Sequence, residues 1–398
     1  MVRMIHISSK DDALKELEKI GAEPQGIKAM LPKMQSFIIH VEGLECKVAN
    51  IMKQEMLSIG GDVAVARGVV DCSIERSDAI IMGTVKQIEK LSRKIEVQPF
   101  GMRSIAKELQ DLMGKTSRVS FILKTPEREV EIGGRTLIMG ILNMTPDSFS
   151  DGGQFSSVEE ALTCAVKMEE EGADIIDIGG ESTRPGSDSV SDDEELKRVI
   201  PLIKKLKNRI KIPISIDTTK SIVAKNAIDE GAEIINDVSA LRADQKMTEL
   251  IASTGMPVVL MHMRGIPKTM QQIDVQYKSV CGDIISFLRE RIETAGHMGI
   301  GEEKIIIDPG IGFGKTMGDN LNIIKHLKEF RVLGRPILIG PSRKSFIGRV
   351  TGSETGKRIE GTAAVIAASI MNGAHIVRVH DVSFMKRVAD MSDAIARS

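Results

Sequence analysis

From about residue 135 to its end, this chain repeats one pattern eight times: a short apolar run, then a longer stretch with helical spacing. The runs are LIMGIL, DIIDIG, IPISI, EIIN, PVVLM, KIIID, PILIG and HIVRV. They are near-continuously apolar rather than alternating, as the strands of a parallel sheet covered by helices must be. A helical pattern follows each, from SVEEALTCAVKMEEEG after the first to DVSFMKRVADMSDAIA after the last. Eight such units in residues 135–398 match the ~250 residues typical of a closed barrel. An open doubly wound sheet would want a Gly-rich phosphate fingerprint after its first strand, and LIMGILNMTPDSFSDGG has none. The expected fold class is α/β: a (β/α)8 TIM barrel, preceded by a small α/β or α+β domain.

Residues 1–118 supply that leading domain. DDALKELEKI reads as an amphipathic helix capped by Ser9 and ended by Gly21. SFIIHVE, DVAVARG and DAIIMGT read as strands, LECKVANIMKQEMLSIGG and RSIAKELQDLM as helices. Thr84 and Gln87 form a capping box for the helix TVKQIEKLSRKI. The glycine pair in KQEMLSIGGDVAVARG invites a phosphate-loop reading, but it runs from helix to strand. An anion site needs the helix N-terminus after the glycines, so a helix C-cap is expected. No chemistry is legible in this domain, whose role stays unknown. Residues 119–134, with TPERE and a Gly-Gly turn, read as a linker, and 135–398 as the barrel.

The net charge of −1 and the lack of any Lys/Arg run argue against a nucleic-acid partner. No apolar run approaches the ~18 residues of a membrane span, and MVRMIHISSKDD lacks a signal-peptide core, so a cytoplasmic location is expected. Cys46, Cys72, Cys164 and Cys281 are far apart and without a His at metal spacing, and are expected as structural thiols. With no Trp and one Tyr, the core must be aliphatic and Met-rich.

The active site of such a barrel lies at the C-terminal ends of its strands. Those positions hold Asn143; Glu181, Thr183 and Arg184; Asp217; Asn236 and Asp237; His262; Asp308; Ser342, Arg343 and Lys344; and Arg378, His380 and Asp381. Every strand delivers a polar group to one mouth, more than loop and cap roles require. Asp217, Asn236 and Asp308 follow strongly apolar runs and should be deep, where an unpaired carboxylate is costly. Two carboxylates and an amide suit a flat ring bearing several N–H groups, or else form a network holding the barrel together. Lys344 would neutralise part of that charge or donate to a ring carbonyl. Arg378, His380 and Arg184 are cationic or can become so, and the loops after strands seven and eight are the usual phosphate seat. A phosphate is therefore expected there. His262 is as well explained by a structural role as by a ligand role. No Ser–His–Asp order, HExxH or His/Cys cluster is present, which excludes a nucleophilic triad or zinc. Asn143 alone is a weak ligand, but with a pyrophosphate it would complete the shell of a Mg²⁺.

At these residues the chain resembles the dihydropteroate synthases, over residues 133–398. The stretches that carry the resemblance are LNMTPDSFSDGG, GADIIDIGGESTRPGS, IPISIDT, AEIINDVSAL, LMHMRGIPKTMQ, IDPGIGFGKT, IGPSRKSFIG and RVHDV, in the family's order. The leading domain departs from the minimal bacterial form. The resemblance implies that Asp217, Asn236, Asp308 and Lys344 bind a pterin ring. It implies that Asn143 joins a Mg²⁺ on the pyrophosphate, with Arg378 and His380 on phosphate oxygens. Asp151 and Arg184 would meet over the site from two loops. Thr183, Pro185, Phe313 and Ser342 would bound a p-aminobenzoate pocket, Ser342 near its carboxylate and Arg343 nearby. The implied reaction joins 6-hydroxymethyl-7,8-dihydropterin pyrophosphate to p-aminobenzoate in a cytoplasmic homodimer. A methyltetrahydrofolate-type methyltransferase or a non-catalytic pterin-binding protein would share the ring-binding acids, but would have less use for SRKS, RVHDV and the loop at Asn143.

Overall fold

A computed structural model describes residues 1–7, 9–144, 157–182, 187–265, 277–354 and 356–397. Its chain divides into two compact units, Met1–Ser117 and Arg118–Ser398.

The leading unit is an α+β fold. Strands β1 (Ser36–Glu45), β2 (Asp62–Val65) and β3 (Arg76–Thr84) form an antiparallel sheet in the order β1-β3-β2. The helices Cys46–Ser58, Val85–Glu96 and Met102–Ser117 contribute Met52, Met56, Ile88, Leu91, Ile95, Met102 and Leu109 to its core, against Val63 and Ile81 of the sheet. Ser9 caps Lys10–Lys19 in a reciprocal box with Asp12, and Thr84 and Gln87 form theirs. The glycine pair after Cys46–Ser58 is a helix end: Gly60 has φ +83°, and Gly60 and Gly61 donate to Leu57 and Met56 carbonyls. A helix that sequence patterning did not reveal, Pro24–Met34, has proline at its first turn but carries Gly26 and Pro32 inside. The thiol expectation needs correction at one pair. Cys46 and Cys72 are joined in a disulfide, Cα atoms 5.7 Å apart across 26 residues of sequence, while Cys164 and Cys281 are free. The chain folds back between β2 and β3, bringing together cysteines that look isolated in sequence.

In the second unit the parallel strands β6 (Leu137–Asn143), β7 (Ile175–Gly179), β8 (Ile214–Asp217), β9 (Ile234–Asp237), β10 (Val258–Met261), β11 (Ile305–Asp308), β12 (Leu338–Ile339) and β13 (Ile376–Val379) run in the order β11-β10-β9-β8-β7-β6-β13-β12. A parallel bridge from Ile307 to Ile337, just before β12, closes the barrel. Alternate residues divide between two environments. Ile176, Ile178, Ile216, Leu260, Ile305 and Val377 pack outward under the helices, whereas Leu137, Met139, Ile175, Ile234, Val259, Ile306, Leu338 and Ile376 fill the interior. Among the covering helices, Asp192–Leu206 follows the cap Ser191, with four acids in its first turn and Lys204 and Lys205 in its last, matching its dipole.

The segment expected as a linker is not one. Strands β4 (Phe121–Lys124) and β5 (Glu129–Ile132) pair as an antiparallel hairpin. Its Leu123 and Ile132 are buried in the same cluster as the interior ring at the N-terminal ends of the barrel strands. An open barrel end must be covered, and the alternation in FILK and EVEI supplies the apolar face that covers it.

Candidate active site

The interior parity that places apolar residues low in the barrel places ionisable ones above them. Across the strands Asp177 is level with Ser215, and Gly179 with Asp217, which is level with Asn236. Asp308 ends β11 and Arg378 lies within β13. Asp177 is fully buried; Asp217, Asn236 and Asp308 are nearly so. Arg378 ties them together: Nε donates to Asp177 Oδ2 at 2.6 Å and Nη2 to Asp217 Oδ2 at 2.7 Å. Asn236 Nδ2 donates to the same Asp177 oxygen at 3.0 Å. Asp177 Oδ1, Ser215 Oγ and Asp217 Oδ1 are buried with no hydrogen-bond partner among the described residues. Sequence reasoning stopped at the strand ends and missed Asp177. The signal was present, since a carboxylate two residues before Gly179 in an apolar strand has the interior parity.

Burial dominates the electrostatics. It pushes Asp217 up to about 7, Arg378 drawing it down and Asp177 pushing it further up. Burial alone would lower Arg378, but Asp177 and Asp217 leave it raised. Asp308 is pushed by burial to about 6, against the pull of the Gly310 N–H on its Oδ1 (2.7 Å) and of Lys344. Lys344 stands with Nζ 4.1 Å from the centre of the Phe313 ring. A Cβ at Gly312 would come within 3.0 Å of the Lys344 stem, so glycine keeps that path open. Phe313, Val238, Met261 and Met263 form a small buried apolar cluster beside the acids.

The other expected residues have the following partners. Ser342 is buried and accepts from the His380 N–H (3.2 Å), with Oγ 2.9 Å from His380 Nδ1. Arg343 forms a two-point pair with Asp381. Glu181 pairs with Lys220 at 2.6 Å, which also holds buried Glu195 at 2.6 Å. Asp237 caps its own loop, accepting from Ser239 and Leu241 N–H groups. His262 is structural: burial lowers it to about 2, and its Nδ1 lies 3.0 Å from Lys315 Nζ. Lys315, which sequence reasoning passed over, also donates to the Gly310 and Phe313 carbonyls at 2.8 and 3.1 Å, binding the loops after β10 and β11 together. Asn143, half-buried, ends β6; a Cβ at neighbouring Gly179 would sit 3.4 Å from its Oδ1, in ordinary contact. Asp151, Thr183, Arg184 and Pro185 lie outside the described residues. A cavity of about 480 Å³ reaches Asp217 and is lined also by Glu181, Val238, Ser239, Arg242 and Met263. That is within the ~300–1,000 Å³ of small-molecule sites.

A closed barrel whose mouth holds buried acids around one guanidinium defines a ligand-binding (β/α)8 enzyme, and comparison with known proteins narrows this. Residues 139–380 match the pterin binding enzyme family. A dihydropteroate synthase of Synechocystis is 47% identical over 266 residues, 67% of this chain and 92% of that one. A solved dihydropteroate synthase of Xanthomonas albilineans, with 4-aminobenzoic acid, aligns at 41% identity and a TM-score of 0.65, covering 70% of this chain and 99% of that one. A probable bifunctional folylpolyglutamate synthase/dihydropteroate synthase of Halobacterium salinarum is 39% identical over 379 residues, 94% of this chain and 45% of that protein, so the likeness takes in the leading unit. The chain belongs to the pterin-binding enzymes. Within them it falls among the dihydropteroate synthases, transferases of folate biosynthesis.

Proposed function

We propose that the chain joins 6-hydroxymethyl-7,8-dihydropterin pyrophosphate to p-aminobenzoate, forming 7,8-dihydropteroate and releasing pyrophosphate. The observation that carries this reading is the buried set of acceptors, Asp177, Asp217, Asn236 and Asp308, around the single guanidinium of Arg378. A flat heterocycle bearing several N–H groups satisfies such a floor, whereas a phosphate, itself only an acceptor, would be repelled by it. Phe313, Met261, Met263 and Val238 offer the ring an apolar face, and Lys344 a donor at its edge.

The pyrophosphate then points outward. Arg378 gives Nε and Nη2 to carboxylates and keeps Nη1 for an oxyanion. Ser342 Oγ accepts from the His380 backbone N–H and lies 2.9 Å from its Nδ1, holding an imidazole that would serve the phosphate oxygens beside Arg378. A Mg²⁺ held by Asn143 and the pyrophosphate would neutralise charge on the leaving group. One amide oxygen fits an ion carried mainly by its substrate and waters, and among the described residues no group of three or more His, Cys, Asp and Glu could hold a metal by itself. The C–O bond at the exocyclic methylene breaks with its electron pair going to pyrophosphate. The ring delocalises the resulting positive charge, and the acids beneath it stabilise that charge. The aryl amine attacks the methylene carbon and gives its proton to solvent, so no poised base is needed. Thr183 and Phe313 would flank the amine, while Asp151 and Arg184 would close over the site and keep water from the cation. The reading includes a cytoplasmic homodimer, checked by sedimentation and by alkylating Cys46 and Cys72 in fresh lysate.

The test gives the purified chain the pterin pyrophosphate, p-aminobenzoate and Mg²⁺. Pyrophosphate release that requires the amine and yields dihydropteroate is expected. Pterin binding without release would turn the assignment toward methyl transfer or a non-catalytic binder.

A further inference from the structure

Asp177 is fully buried in the middle of β7, on the interior side and one layer below Gly179 and Asp217. Two donors converge on one of its oxygens: Arg378 Nε at 2.6 Å and Asn236 Nδ2 at 3.0 Å meet at Oδ2. The amide of Asn236 has a donating and an accepting end, and Asp177 decides which faces the mouth. With Nδ2 given to Asp177, the end left for a ligand is Oδ1, an acceptor. Reversing the amide would set Asn236 Oδ1 against Asp177 Oδ2, two acceptors at hydrogen-bond distance, and would offer the ligand a donor instead. The contact to Nε likewise fixes the plane of the guanidinium, holding Nη2 on Asp217, while Nη1 has no hydrogen bond among the described residues.

We propose that Asp177 is a positioning residue of this site: it sets the hydrogen-bond polarity of Asn236 toward the ring and the orientation of Arg378 between ring and leaving group. The inference rests on the pterin reading given above. It differs from a counter-ion role, in which Asp177 only neutralises Arg378, because polarity needs an acceptor at Asp177 whether or not it is charged. Leucine at 177 removes the acceptor, whereas asparagine keeps one and loses the charge.

The experiment measures binding of 6-hydroxymethyl-7,8-dihydropterin, without pyrophosphate, to the full chain by calorimetry, together with steady-state constants for p-aminobenzoate. Asp177→Leu is expected to weaken pterin binding about tenfold or more, as when a site built to bond an N–H loses its match. Asp177→Asn should recover most of that loss. Asn236→Asp, which opposes two acceptors, should lose as much as Asp177→Leu, and carries the test if Asp177→Leu does not fold. In an Asn236→Ala background, Asp177→Leu should cost less than about threefold more, the non-additivity expected of residues acting through one another. In Asp177→Leu the Kd for plain pterin should rise by a larger factor than the KM for p-aminobenzoate. An Asp177→Asn that falls as far as Asp177→Leu would leave only the counter-ion role, and full additivity with Asn236→Ala would break the link to Asn236. If the unaltered chain binds no plain pterin, the reading of the site falls first and this inference with it.

Discussion

Arg378 bonds two carboxylates through Nε and Nη2, and this joins residues that charge patterning alone would separate. On position alone it belongs to the phosphate end, and its loss should spare plain pterin binding. The structure ties it to Asp177 and Asp217 instead. Arg378→Met should therefore weaken plain pterin binding as well as pyrophosphate handling. It should also lower stability by about 3–5 kcal/mol, the cost of leaving a buried partner uncompensated. Denaturant titration and calorimetry on the same variant check both. Asp308 carries a pH prediction. Burial holds it at about 6, above its ordinary 3.8, so the folded chain binds that proton more tightly than the unfolded one. Its contribution to stability is fully present below 3.8 and is lost as pH rises through about 6. Pterin binding moves the opposite way, because only the ionised carboxylate accepts from the ring N–H groups without a proton of its own. Affinity should rise with pH through the same range, and Asp217, held at about 7, extends the rise. In Asp308→Asn, melting curves between about pH 4 and 7 should lose part of their pH dependence, and pterin affinity should fall at every pH.

At the scale of elements, His262 at the start of the loop after β10 is packed closely against residues 310–315 after β11. Gly310 has φ +73°, and a Cβ there would lie 1.9 Å from the His262 carbonyl oxygen. Gly310→Ala should consequently destabilise the unit or prevent folding, and a thermal melt decides. Lys315→Met should remove the tie between His262, Gly310 and Phe313. The expected result is a folded but less stable protein in which Phe313, and with it the Lys344 ammonium over its ring, is loosened. A higher Kd for plain pterin would report that change. Strand identity and strand ends were legible because each barrel strand is a bounded apolar run, and that was enough to name Asp217, Asn236, Asp308 and Arg378. Side-chain pairing across strands was not legible. The interior parity of β7 could have named Asp177, but its bonds to Arg378 and Asn236, like the contact of Ser342 with His380, join residues far apart in sequence, whose distances no local pattern encodes. The same holds for Cys46 and Cys72, and for Lys315, whose three carbonyl and imidazole partners come from two loops.

For the whole molecule, each unit has its own apolar core: Met52, Met56, Ile81 and Leu91 in the first, the barrel interior and its helix layer in the second. Units with separate cores can fold separately, so a chain beginning at Arg118 should unfold cooperatively and keep its turnover rate. Where such a chain begins matters more than how much is removed. If residues 119–134 were only a linker, a chain beginning at Arg135 would behave identically. The hairpin makes the opposite prediction, since Leu123 and Ile132 cover Leu137, Ile175, Ile234, Val259, Ile306, Leu338 and Ile376. Removing them exposes a ring of aliphatic side chains at the barrel's end, and even one such truncation costs about 2–5 kcal/mol. The hairpin also carries polar ties to the barrel: Arg128 Nε and Thr125 Oγ1 donate to buried Glu233 at 3.0 and 2.5 Å, so its loss would strand that carboxylate. The shorter chain should therefore aggregate or melt far below the longer one, and Leu123→Ala in the full chain should reproduce part of the loss. Equal melting of the two truncated chains would return residues 119–134 to the status of a tether. A drop in turnover for the chain beginning at Arg118, with its melting unchanged, would instead give the leading unit a part in catalysis that no residue within it suggests.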